Sequence, residues 1–154
     1  MAISQKLRNY MNRCGVAFEE VAHRPTMHAA EAAEASHIPG RRVAKGVLVR
    51  AGDEYVLAVV PASRRVRLEQ LERWLGRPVD LADELESTHL FADCQLGAIP
   101  PIGAAYGLES VFDDELLNGD DIYFEGGDHC TLVHVEAGEW RHLTRGAGHC
   151  AFAA

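Results

Sequence analysis

The chain has 154 residues, 47% of them apolar and 25% charged, which suits one soluble domain with one hydrophobic core. It holds no apolar run long enough to span a bilayer, and its first residues, MAISQKLRNYMNR, lack the apolar stretch and cleavage site of a secretory signal, so the cytoplasm is the expected compartment. A net charge of −8 argues against a surface built to wrap nucleic acid but leaves room for a local basic face.

In chain order, Ile3, Leu7, Tyr10, Met11 and Cys14 recur at helical spacing, with Ser4 as cap and Gly15 as stop. Val16–Val21 reads as a short strand. Pro25 breaks the chain, and AAEAAEAS over residues 29–36 is a short helix ended before Pro39-Gly40. Val43–Arg50 and Tyr55–Val60 are apolar runs joined by Ala51-Gly52-Asp53-Glu54, a hairpin pattern. Val66–Leu75 is an amphipathic helix with Leu68, Leu71, Trp74 and Leu75 inward and Gly76 as its stop. Leu81–Leu90 is a further helix, and GAIPPIGAAYG (97–107) is a loop too constrained by proline to be flexible filler. Val111–Phe112 is a strand, as are Asp121–Glu125 and Cys130–Val135, which turn at Gly126-Gly127-Asp128. Glu136–Leu143 closes the pattern as a helix.

Short strands in adjacent pairs, interrupted by single helices, predict an α+β fold: a mixed, mostly antiparallel sheet forming a partly closed barrel with helices around it. Residues 1–145 form one expected domain. Residues 146–154, without periodicity, are expected to fray as a tail.

Lys45 stands inside the apolar run VAKGVLV, where an ammonium either reaches the surface or meets an anion. Gly97-Ala98-Ile99-Pro100-Pro101-Ile102-Gly103 can hold backbone N–H groups in fixed directions, as an oxyanion site requires, or serve as a structural corner. In Gly126-Gly127-Asp128-His129, a histidine after a turn can reach a cleft to orient substrate or relay a proton. Arg41–Arg42 and Arg64–Arg65 are compact basic clusters. The four cysteines show no CxxC spacing and read as free thiols. Cys130 and His134 are too far apart along one strand to share an ion, so neither a metal nor another cofactor is expected.

Taken together, an HxP segment before a short helix, AK in an apolar strand, VVPASRRVRLEQLERWLG, GAIPPIG and YFEGGDH resemble the YbaK/ProX family and the editing insertion of bacterial prolyl-tRNA synthetases. The likeness runs from about residue 16 to 143. It implies metal-independent, noncovalent deacylation of a mischarged aminoacyl-tRNA by a free-standing trans-editing hydrolase, with a small amino acid such as alanine or cysteine. It places the family lysine on Lys45, the glycine-x-x-x-proline loop on Gly97 to Pro101 and a histidine of prolyl-type members on His129. The amino-acid pocket would then involve His28, Gly46, Ala98, Ile99, Pro100, Pro101, Gly127 and Asp128. At two of these positions the chain departs from the family, with Met27-His28 where Ser or Thr is frequent and Gly46 where a side chain is usual. Arg41, Arg42, Arg64 and Arg65 are the candidates for steering the tRNA acceptor end. A synthetase is a second candidate partner, a membrane is not, and the chain is expected as a monomer or weak dimer.

Two other readings stay open. One is a non-catalytic binding module of the same fold, holding an aminoacyl or adenosine end or a partner protein. The other is a small-molecule hydrolase that pairs His129 with a cysteine.

Overall fold

Ser4 accepts a hydrogen bond from the Leu7 N–H and opens helix α1 (Gln5–Cys14), which Gly15 stops at φ 70°. The Val16 N–H then donates to the Met11 carbonyl, so Val16 belongs to the helix cap and the core, and strand β1 (Glu19–Ala22) starts later than its apolar run suggests. The computed structural model describes residues 2–154. Helix α2 (Ala29–Ala35) buries Ala29, Ala32 and Ala33.

The expected hairpin is present. Strands β2 (Val43–Ala51) and β3 (Glu54–Pro61) pair without a break from Ala44↔Pro61 to Ala51↔Glu54. Helix α3 (Leu68–Leu75) follows, with Leu71 fully buried. Trp74, expected inward, is 44% exposed. Its ring lies over Gly148, where a Cβ would overlap it. Strand β4 (Val79–Leu81) takes the residue at which a helix was expected to begin. Helix α4 (Glu84–Leu90) starts instead at Asp83, which forms a reciprocal capping box with Glu86.

The remaining elements are β5 (Glu109–Asp113), β6 (Ile122–Glu125), β7 (Thr131–Val135), α5 (Ala137–Thr144) and β8 (Gly148–Cys150). The sheet order is β1-β7-β6-β2-β3-β5-β8, with β4 also on β2. Pairing is antiparallel except at β2–β6, β3–β5 and β5–β8. The sheet is therefore mixed and mostly antiparallel, and it is not closed, since β1 and β8 remain its ends.

One core cluster packs Leu7, Met11, Leu48, Leu57, Phe91, Phe124 and Trp140. A second packs Val49, Val56, Leu71, Val79, Val111 and Phe152. Phe152 lies in the segment expected to fray, and the structure differs there. Its N–H and that of Ala153 donate to the Asp113 carboxylate at 2.8 and 2.9 Å. Arg65 and Ala154 exchange backbone hydrogen bonds. Burying a phenylalanine stabilises by roughly 1.5–3 kcal/mol, which a nine-residue end can recover without any periodicity. No helix among the described residues is long and apolar enough to cross a membrane.

Candidate active site

The site begins with a gap in the sheet. β3 covers the whole of one edge of β2. On the other edge, β6 pairs with Val43 and Ala44, and β4 with Val49 to Ala51. Backbone groups alternate in direction along a strand. Ala62 donates to the Val43 carbonyl on the β3 side, and Ala82 to the Leu48 carbonyl on the opposite side. By that parity the N–H and C=O of Gly46 open onto the gap.

The gap forms one wall of a cleft of about 360 Å³ that Lys45, Gly46, Gly97, Ile99, His28 and Glu125 help to line. That volume lies within the range of small-ligand sites. The 97–103 loop packs against the gap because Gly46 has no side chain; a Cβ there would stand 3.3 Å from Pro101 Cα and 3.2 Å from a Leu57 methyl. Within the loop, the Ala98 N–H is bound to the Gln95 carbonyl and the Gly103 N–H to Ser110 Oγ. Pro100 and Pro101 have no N–H to offer. Among the described residues the Gly97 and Ile99 N–H groups make no hydrogen bond, and both residues line the cleft. The Ile102 N–H also makes no hydrogen bond among the described residues, but Ile102 is buried and does not line the cleft. Two unbonded donors on a constrained loop beside a cleft are what an oxyanion site needs.

The other expected residues divide. Ala98, Pro100 and Pro101 are buried in the body of the loop and do not line the cleft. Gly127, at φ 119°, and Asp128 build the β6–β7 turn, with Asp128 accepting from the Cys130 N–H and the Thr131 hydroxyl. His129 does not line the cleft either. It is buried, at φ 63°, and its Nε2 donates to the Leu96 carbonyl at 2.5 Å. No cysteine hydrogen-bonds to its ring among the described residues. His129 is thus placed to position the Gly97 loop from behind. His28 is exposed at the start of α2, 4.0 Å from Glu31.

Lys45 donates from Nζ to the Arg64 carbonyl at 3.0 Å. Burial, and then the Arg65 guanidinium, hold its ammonium below the usual lysine range. The turn Gly40–Arg42 packs on Ser63, so both arginine clusters gather beside Lys45. Two of the four are engaged: Arg42 pairs with Asp121 and lies over the Tyr123 ring, and Arg64 pairs with Glu115 at 3.3 Å. Arg41 and Arg65 are exposed and make no ion pair among the described residues. No group of three or more His, Cys, Asp or Glu side chains is placed to hold a metal ion among the described residues, and the four cysteines form no disulfide.

The family model for the aminoacyl-tRNA editing domain matches residues 23–143, most of the chain and all of this cleft. The chain belongs to the aminoacyl-tRNA editing domain family. Three solved structures share the fold of this editing domain. The hypothetical protein APE2540 is 22% identical with a TM-score of 0.86, over 97% of this chain and all of that one. A protein described as a candidate trans-editing enzyme for prolyl tRNA synthetase is 23% identical with a TM-score of 0.84, over 97% of this chain and 96% of that one. A candidate signal transduction protein from Marinobacter aquaeolei is 20% identical with a TM-score of 0.77, and this editing domain spans 30% of its length. No curated protein matches the chain.

Two features of the editing domain's cleft escape sequence reasoning. Glu125 ends the apolar strand β6 and reads as an ordinary turn flank, yet it is 3% exposed and both its carboxylate oxygens lack a hydrogen-bond partner among the described residues. Burial, and then the Asp128 carboxylate, push its pKa up to about 7. The signal available was a charged residue closing an otherwise apolar strand. The second feature is an apolar rim. Leu81 and Leu96 line the cleft while exposed, and exposed Met27 and Leu85 adjoin the lining residues His28 and Glu84. Two of the five exposed large apolar side chains among the described residues thus line the cleft itself, where an exposed apolar patch marks a contact surface.

Proposed function

We propose that this editing domain hydrolyses the ester that joins a small amino acid, such as alanine or cysteine, to a mischarged tRNA, acting in trans and without a metal. The observation that carries the reading is a single cleft at the gap in β2 that is lined by Lys45 and by Gly97 and Ile99, whose N–H groups make no hydrogen bond among the described residues. An aminoacyl ester is already activated. It needs to be held, to meet a placed water, and to have its developing negative charge stabilised. Water adds to the carbonyl carbon, and the oxyanion accepts hydrogen bonds from Gly97 and Ile99. Collapse then breaks the bond to the ribose oxygen, which takes up a proton as the free amino acid leaves.

The Lys45 ammonium suits the phosphate or ribose of the terminal nucleotide, and exposed Arg41 and Arg65 suit the acceptor stem. The apolar rim offers a face to the terminal base. Ile99 and His28 at the wall would exclude larger amino acids, which is how an apolar pocket discriminates by size. The shared fold with the candidate trans-editing enzyme, over nearly its whole length, supports the reading.

The deciding experiment is a panel of mischarged tRNAs, incubated with and without EDTA. Turnover of one or more small-amino-acid esters, unchanged by EDTA, is the expected result. Binding without turnover would replace the reading with a binding module. Loss in EDTA with recovery on zinc would overturn metal independence. Turnover of esters lacking tRNA, abolished by Cys130→Ala, would favour a cysteine hydrolase.

A further inference from the structure

Among the described residues three carboxylates are buried, Asp113, Asp128 and Glu125. Asp113 accepts hydrogen bonds from the N–H groups of Glu115, Phe152 and Ala153. Asp128 accepts from the Cys130 N–H and the Thr131 hydroxyl. Among the described residues Glu125 accepts from nothing, on either oxygen. A carboxylate removed from water without a partner is unfavourable wherever it occurs, so a buried one left unpaired asks for a ligand. The other two are explained by the fold and Glu125 is not.

Its place says which ligand. β6 pairs with β2 at Ala44↔Phe124, and Glu125 follows by one residue, at the head of the gap where Lys45 and Gly46 begin. It shares the cleft with Gly97 and Ile99. Lys45 is turned to the Arg64 carbonyl and does not neutralise it. An aminoacyl ester brings a carbonyl, a ribose, a side chain and an α-ammonium group to such a site. The ammonium is the cationic one and sits one bond from the reacting carbonyl's carbon neighbour, within the same small cleft.

We propose that Glu125 receives the α-ammonium of the bound aminoacyl ester, so that the site takes esters of free α-amino acids and rejects those whose nitrogen is acylated. The inference rests on the reading of this cleft as an aminoacyl-ester site. Acylating the nitrogen removes its charge and adds bulk, leaving Glu125 as unpaired as in the free protein. The chemistry that Lys45 offers to a phosphate and that Glu125 offers to an ammonium is complementary. Together they would fix both ends of the ester across the Gly97 and Ile99 donors.

The test compares alanyl-tRNA with N-acetyl-alanyl-tRNA in the full chain and in Glu125→Gln, a neutral variant of the same shape. The wild type is expected to prefer the free amine by about 30-fold or more in kcat/KM, the scale of losing one partner of a buried charge pair. Glu125→Gln is expected to lose most of that preference through a raised KM on the free amine, with the acetylated ester little changed. An unchanged preference in the variant, or equal losses on both esters, would overturn the proposal; the second outcome would make Glu125 a base or a structural residue. The wild-type comparison needs no variant and stands if Glu125→Gln does not fold. If neither ester is hydrolysed, the deacylation reading fails separately. Calorimetry with non-hydrolysable 3′-alanylamino-3′-deoxyadenosine and its N-acetyl form then decides the ammonium contact. Tighter binding of the free amine supports it, and equal binding or none refutes it.

Discussion

Gly97 and His129 face each other across the back of the cleft. A Cβ on Gly97 would stand 3.4 Å from His129 Cε1, and the His129 ring donates to the carbonyl of Leu96, the residue just before Gly97. The loop that carries Gly97 and Ile99 is therefore seated on a buried histidine whose own backbone is in the left-handed region.

Gly97→Ala is expected to lower both stability and turnover. Gly97 is at φ 84°, and the new methyl would stand 3.1 Å from the Met27 carbonyl oxygen. The backbone conformation alone costs roughly 1–2 kcal/mol in a residue with a side chain. A melting temperature lowered by several degrees, together with a fall in kcat, checks this. Normal melting and normal turnover would reduce the loop to a corner.

Lys45→Met should abolish or strongly lower deacylation while the fold survives. The amine gives up one hydrogen bond, to the Arg64 carbonyl, and the apolar substitute relieves the cost of its burial. The stability change should stay within about 1 kcal/mol. Denaturant titration beside single-turnover kinetics separates the two effects, and undiminished turnover would remove Lys45 from the site.

The arginines should not behave alike. Arg41→Glu with Arg65→Glu should weaken use of tRNA and flatten its salt dependence, with little effect on melting, because both side chains are exposed and unpaired among the described residues. Arg42→Glu should instead lower melting, since it breaks the pair with Asp121 and the contact over Tyr123. Equal substrate affinity at low and high salt would count against electrostatic steering.

Glu125 should make stability depend on pH. Its folded-state pKa is raised to about 7 by burial and by Asp128. A raised carboxyl contributes stability that is fully present below its unfolded value, near pH 4.3, and that is lost as pH rises through about 7. Glu125→Gln carries no such loss. Its stability relative to wild type should therefore increase from pH 4 to pH 8, by about 3 kcal/mol. Urea unfolding at a series of pH values checks this, and a constant difference would show that the charge is compensated in solution.

Local order was legible in the residues because it depends on near neighbours. Ser4 and Gly15 bound α1, Ala51 to Glu54 turn the hairpin, and Gly126 to Asp128 turn β6 into β7, each within a few residues of its partners. The resemblance likewise picked out Lys45, Gly97 and His129, because motifs survive in linear order. What the tertiary structure decided was every long-range pairing. β8 joins β5 in parallel across more than thirty residues, and Phe152 finds Leu71 and Val111, so a segment without periodicity is held by burial and by Asp113. The gap in β2 exists because β6 and β4 each cover part of one edge, and no pattern within Val43–Ala51 records where its partners stop. The same holds for two residues whose places bear on the proposed chemistry. His129 lies behind the loop and Glu125 lies in the cleft unpartnered, because a hydrogen bond gained or missing is a property of packed neighbours and not of residue type.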